Sequence, residues 1–288
     1  MPTSQRRIAT GCAPTAIHFT RDHQHIAARC PDGKLQIYAL SSGKMTSERA
    51  FPSTAQLLAA DFLYDNGQIW DLSANRHTQL ASSLPRSGAA LSPDRRFLAT
   101  SNPSERTVRL WDLSTGKQSH TLPDGIGGAA RLAFSPDGET VVSANYDNDI
   151  RIWRTRSGEL VRKIDDLTGA MFAATFTPDG RALITAGLDE TVYVWNTRNF
   201  TLERKLEGHG QTIASLAISP DSRTLITGGF DVLTLKNPVR IVVWDFASGR
   251  ITDTLNAPHR AVQLTFSPDG KWAAFLTGEK EISLLGFA

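Results

Sequence analysis

The sequence predicts an all-β repeat fold, and three observations predict it. A turn string recurs: FSPDG stands at Phe134 to Gly138 and again at Phe266 to Gly270, with the variants FTPDG from Phe176, ISPDS from Ile218, LSPDR from Leu91 and FTRDH from Phe19. Each turn leads through a short apolar run into a β-branched run that ends on an aromatic residue, as in LQIY at Tyr38, VRLW at Trp111, IRIW at Trp153, VYVW at Trp195 and IVVW at Trp244. Two weaker endings, GQIW at Trp70 and ISLL at Leu285, complete the series, and successive endings lie 32, 41, 42, 42, 49 and 41 residues apart. A fixed period of this length marks a repeat architecture whose units cannot bury their faces without neighbours.

The turn comes first. In Ser-Pro-Asp-Gly the proline fixes φ and the glycine tolerates positive φ, so the chain reverses there. Next come the strands: Leu132 with Phe134, and Val192 with Val194, alternate with period two, which predicts strands with one face more buried than the other. Helical periodicity appears nowhere. The second repeat is about nine residues short and lacks the turn string, so 51–71 has room for two strands and a poor first one, and a thin sheet is expected. The sixth is about seven residues long, and the excess in FDVLTLKNPVR, Phe230 to Arg240, predicts an enlarged loop.

Composition narrows the function. The chain has 288 residues, 40% of them hydrophobic, with 31 basic against 29 acidic side chains and a formal charge of +2. So balanced a charge lacks the electrostatic footprint of a protein that grips nucleic acid or anionic lipid. No apolar run reaches about 18 residues and no secretory pattern follows the first arginines, so a cytoplasmic protein without a membrane partner is expected. Cys12 and Cys30 are too few for a disulfide framework and lack C-x-x-C spacing, which reads as two reduced, half-buried thiols.

These repeats resemble the WD-repeat β-propellers. The tryptophan-acid pair survives at Trp70-Asp71, Trp111-Asp112 and Trp244-Asp245, and the family's Gly-His stands at Gly208-His209. The resemblance covers essentially the whole chain and implies a seven-bladed β-propeller of four-stranded blades, a single domain over residues 1–288. The last repeat stops after its third strand. Arg6 to Gly11 aligns with Arg204 to His209 of the fifth repeat, so residues 6–10 are expected to complete the C-terminal blade and cover its edge.

The resemblance also implies a buried polar network within blades. It maps onto His209, Thr227, Asp231 and Trp244 in the sixth repeat, Thr185, Asp189 and Trp195 in the fifth, and Ser143, Asp147 and Trp153 in the fourth. A histidine-hydroxyl-acid set invites comparison with hydrolases, but a set copied from blade to blade belongs to structure. His18, His23 and His25 lack a partner at a metal-ligand spacing and read as solvated turn residues. The glycines from Gly125 to Gly128 lack the Lys-Ser/Thr of a phosphate loop. Asn199-Phe200-Thr201 matches a glycosylation sequon that no secretory signal supports. No catalytic residue, metal or cofactor is expected, since neither G-x-S-x-G nor H-E-x-x-H occurs.

In WD-repeat proteins partners recur on the narrow top face. The matching positions gather large side chains on the fourth to sixth repeats: Tyr146, Phe172, Leu188 and Phe230, with Leu233 and Leu235 in the enlarged loop and Arg260 at the rim. These either pack on neighbouring loops or form a binding patch, and the added leucines tip the reading toward binding. The expected function is a noncatalytic, monomeric scaffold for a protein or peptide partner. The alternative is a small-ligand or metal-binding hydrolytic propeller with its site in the central channel.

Overall fold

The computed structural model describes residues 2–65, 67–80, 88–102, 104–124, 128–230, 238–257, 263–276 and 279–287. Among these are 28 strands and no helix, so no helix is long and apolar enough to cross a membrane. β1 (Pro2–Ala9) comes first. The first sheet is β2 (Ala16–Phe19), β3 (His25–Arg29), β4 (Lys34–Ala39) and β5 (Met45–Ala50); the second is β6 (Gln56–Ala59), β7 (Phe62–Asp65), β8 (Gln68–Asp71) and β9 (Arg76–Gln79). The third is β10 (Ala89–Leu91), β11 (Phe97–Asn102), β12 (Thr107–Asp112) and β13 (Lys117–Pro123); the fourth is β14 (Ala129–Phe134), β15 (Thr140–Asn145), β16 (Ile150–Arg154) and β17 (Leu160–Ile164). The fifth is β18 (Met171–Phe176), β19 (Ala182–Gly187), β20 (Val192–Asn196) and β21 (Leu202–Leu206); the sixth is β22 (Thr212–Ile218), β23 (Thr224–Phe230), β24 (Val239–Asp245) and β25 (Arg250–Ala257). The seventh joins β26 (Leu264–Phe266), β27 (Trp272–Leu276) and β28 (Glu281–Phe287) to β1. Six four-stranded meanders and this seventh four-stranded sheet are the seven blades of a β-propeller.

The recurring turn works by local chemistry. In the fourth sheet the Ser135 hydroxyl donates to Asp137 at 2.5 Å, the Glu139 N–H donates to the same carboxylate at 2.9 Å, and Gly138 takes φ 71°. Where glycine is missing, Ser222, Arg95 and His23 adopt the same left-handed φ near 60°. There the short Ser/Thr-Asp contact holds the turn despite the side chain. In the first sheet the Thr20 hydroxyl holds the Asp22 carboxyl down at about 2.

The chain divides into two compact units, Met1–Asp65 with Trp70–Arg76 and Ala214–Ala288, and Asn66–Ile69 with His77–Ile213. In the first unit β1 pairs antiparallel with β28, from Pro2 opposite Phe287 to Ala9 opposite Glu281. The completing strand is therefore longer than the expected residues 6–10. It is seated by Ile8, buried opposite Ile282, and by the Arg6 guanidinium, which donates to the Leu40 and Ser41 carbonyls. Ile8 joins Ile17, Ile26, Leu276 and Leu284 in one apolar cluster between the first and seventh sheets. The second sheet keeps four strands, each only four residues long.

The reduced state expected for the two cysteines is corrected: Cys12 and Cys30 form a disulfide, with Cα atoms 5.9 Å apart, inside the range such a bridge requires. Linear spacing hid it because the contact is made by the fold. Cys12 follows β1, Cys30 follows β3, and Thr15 N–H donates to the Arg29 carbonyl to bring the two segments side by side. Next to this bridge Arg29 is 1% exposed. Its guanidinium donates to the carbonyls of Ala55, Cys30, Lys34 and Pro52, so it clamps the segment that leads into the short second sheet.

Two apolar cores stand out among the described residues of the second unit. Ala99, Val108, Leu110, Leu132 and Val141 fill the space between the third and fourth sheets, and Val142, Ile152, Met171, Leu183 and Tyr193 that between the fourth and fifth. The period-two alternation places these residues. Burying each large side chain contributes about 1.5–3 kcal/mol.

Candidate functional site

Five third strands carry a buried ring near their end, Tyr38, Trp111, Trp153, Trp195 and Trp244, and in three of these sheets a threonine on the second strand receives the indole N–H. Trp111 Nε1 donates to Thr100 Oγ1 at 3.1 Å, Trp195 to Thr185 at 2.9 Å and Trp244 to Thr227 at 2.9 Å. Sequence reasoning missed Thr100, although it holds in FLATSN the place that Thr185 holds in ALITAG. In the fourth sheet Ser143 takes that place and donates instead to Asp124 at 3.2 Å, with Trp153 fully buried nearby.

The acids divide differently from the sequence expectation. Asp149, 2% exposed, accepts from Asn145 Nδ2 at 2.5 Å and from Arg151 Nε and Nη2 at 3.1 and 2.7 Å. Asp147, two residues earlier, is half-buried and lies 3.7 Å from Arg151. Asp189 accepts from Thr168 at 2.7 Å and from the Tyr193 hydroxyl at 2.5 Å; burial, then this carboxylate, raises the Tyr193 phenol above its usual range. Tyr193 stacks on Trp195, with centroids 5.7 Å apart, and so ties Asp189 to the indole that Thr185 holds. His209 is fully buried, with Nδ1 2.9 Å from the Gln211 carbonyl. Asp231, Leu233, Leu235 and Arg260 lie outside the described residues, as does the side chain of Phe230.

At one end of the second unit large apolar side chains reach the surface. Tyr146 begins the turn between β15 and β16 and is 55% exposed; Leu188 begins the turn between β19 and β20 and is 45% exposed. Phe172, half-buried, stands between them on β18 with its ring 5.8 Å from that of Tyr146. A bulge aims it there. Met171 pairs with Gly187 and Ala173 with Ala186, so Phe172 is the extra residue, and an unpaired residue at a bulge re-aims its side chain. Gly187 makes the approach possible, since a Cβ at that position would lie 1.9 Å from the Ala170 carbonyl oxygen. With no Cβ there, the Leu188 N–H donates to that carbonyl at 2.9 Å.

Other candidates do not converge. His25 Nδ1 contacts Asp22 at 2.8 Å, His18 Nε2 lies 3.4 Å from Gln263 Nε2, and His23 occupies a left-handed turn position. Among the described residues no three metal-ligating side chains come together. In the first unit a shallow groove of about 360 Å³ runs beside β5, floored by Leu35, Ile37 and Leu72 and rimmed by Asp22, His25 and Arg49. On β14 the Arg131 side chain is exposed in area, but protein packs around its guanidinium, and that desolvation lowers its pKa.

A family model described as WD domain, G-beta repeat matches residues 65–112, 116–154, 158–196 and 200–231, more than half of the chain. An uncharacterized WD repeat-containing protein of Synechocystis sp. is 27% identical over 141 residues, which is 45% of this chain and 40% of the relative. The aligned part thus spans less than half of that relative's length. Four matched repeats and seven four-stranded sheets lead to one conclusion: the chain belongs to the WD-repeat family of β-propellers.

Proposed function

We propose that this chain is a noncatalytic scaffold that binds a protein or peptide partner across the loop end carrying Tyr146, Phe172 and Leu188. WD-repeat propellers are generally protein-interaction scaffolds, and the fold alone hosts many activities, so the argument rests on the surface. The observation that carries it is the exposure of Tyr146 and Leu188 on turns where polar residues would cost nothing. The sequence expectation also names Phe230, Leu233, Leu235 and Arg260 as partner contacts, and these belong to the proposal on sequence grounds alone. A monomer is part of this reading. So is a cytoplasmic site of action, against which the Cys12–Cys30 bridge weighs, because disulfides persist mainly in oxidising compartments.

The test is comparative affinity purification from the native cells with the wild-type chain and a Tyr146→Ser/Leu188→Ser double variant, quantified by mass spectrometry. Both side chains are exposed, so the variant is expected to fold and melt as the wild type does. Proteins recovered by the wild type and lost with the variant are the expected result. An identical set from both chains overturns the assignment of this face.

A further inference from the structure

The face described above differs in charge from the opposite end of the same unit. Its loop segments 146–149, 165–170, 188–191 and 207–211 carry seven carboxylates and no lysine or arginine. The turn at 104–106 adds one charge of each sign. At the other end the turns 92–96, 135–139, 155–159, 177–181 and 197–201 carry five carboxylates and five arginines. Bases on the strands behind offset part of the acidic end: Arg151 serves Asp149 and approaches Asp147, and Lys163 contacts Asp165 at 3.0 Å. Asp166, Asp189, Glu190 and Glu207 have no cationic partner at ion-pair distance among the described residues, and the donors to Asp189 are neutral: the Thr168 and Tyr193 hydroxyls and the Thr191 N–H. Arg131 lies down β14 from the loops and touches none of these carboxylates at that distance.

Resting on the reading of Tyr146, Phe172 and Leu188 as a docking face, we infer that the partner segment is basic: an extended stretch of another protein, rich in arginine or lysine, with an apolar side chain seated beside the Tyr146–Phe172 pair. Two properties of the surface select it. Uncompensated carboxylates around an apolar centre attract cations and repel acidic partners, which gives specificity and speed of association. Aromatic faces accept guanidinium and ammonium groups, most favourably arginine, so the same two rings serve both the apolar and the charged part of the ligand. A phosphate backbone is the wrong ligand for this end because its charges would meet carboxylates.

The experiment is a selection from an unbiased random-peptide phage library against the whole chain, followed by fluorescence-polarisation titration of the winning peptides as synthetic probes. Three proteins are compared: the wild type, Tyr146→Ser/Leu188→Ser, and Asp166→Lys/Glu190→Lys, whose two sites are exposed and unpartnered and whose folding is checked by circular dichroism. The expected winners are net positive with one apolar residue, and their affinity falls as salt rises. Removing the apolar anchors weakens binding about 30-fold or more, as loss of a hot spot does. Reversing the two charges weakens it about tenfold or more. Winners that need Tyr146 and Leu188 but are neutral or acidic and indifferent to charge reversal overturn the basic partner and leave the docking face standing. Winners indifferent to both double variants, or no winners, overturn both.

Discussion

At Asp149 a buried carboxylate is surrounded by donors: the Asn145 amide, a bidentate Arg151 guanidinium and, at 3.8 Å, the Lys163 ammonium. Such a charge is tolerable inside only because it is paired, and removing one partner strands the others away from water. Asp149→Ala is therefore expected to cost about 3–5 kcal/mol, the range for breaking a buried ion pair. Asp147→Ala, whose side chain keeps solvent contact, is expected to cost about 1 kcal/mol or less, as exposed pairs do. Urea titration of both variants checks the order; equal losses would show that the two acids share one environment. The sequence places two acids in the string Tyr146-Asp147-Asn148-Asp149, and nothing in their spacing says which one turns inward. Arg151, two residues on and able to reach back, is what decides it. Thr185 and Thr227 were legible for a different reason, since the resemblance to the WD-repeat family marks their place in the second strand of the blade.

Among elements, β1 depends most on contacts far away in sequence. It is held to β28 by backbone pairing, by Ile8 in the apolar cluster and by Arg6 on two carbonyls, and just beyond it the Cys12–Cys30 bridge closes a sequence separation of 18 residues. Closing a loop of that size typically contributes about 3 kcal/mol by restricting the unfolded chain. Cys12→Ser/Cys30→Ser is thus expected to lower the denaturation midpoint without changing the native circular dichroism spectrum, and wild-type protein treated with a dithiol reductant should match it. No difference between oxidised and reduced wild type would mean that the bridge constrains nothing. The strand itself was visible in advance, because its alignment with the outer strand of the fifth repeat put Ile8 where Leu206 stands, and both are buried. The bridge was not visible, and neither was the Arg29 clamp. Both join segments with no shared pattern, and their partners are backbone carbonyls or a second thiol that only the folded chain brings near. The bulge that turns Phe172 outward is hidden in the same way, since it comes from one residue too many in a strand and leaves the apolar pattern unchanged.

For the whole molecule, seven sheets arise from one repeated arithmetic, and six of them are local meanders that neighbouring residues can assemble early. The seventh is different: Thr3 reaches the Gly286 carbonyl across a separation of 283 residues. Loop closure over such a distance is entropically costly and contacts of that kind slow folding, so the same strand that clasps the native chain is expected to be a late arrival in its assembly. A circular permutant that joins Phe287 to Pro2 by a short linker and opens the chain between Asp165 and Asp166 makes every sheet local. Stopped-flow refolding should then be faster. Unfolding should also be faster, because no backbone pairing holds the new ends together, and interactions formed after the transition state are the ones that slow the native state's escape. A permutant that folds quickly yet unfolds no sooner than the parent would show that the late pairing adds nothing to endurance; the expected outcome is that this chain trades speed of assembly for length of life.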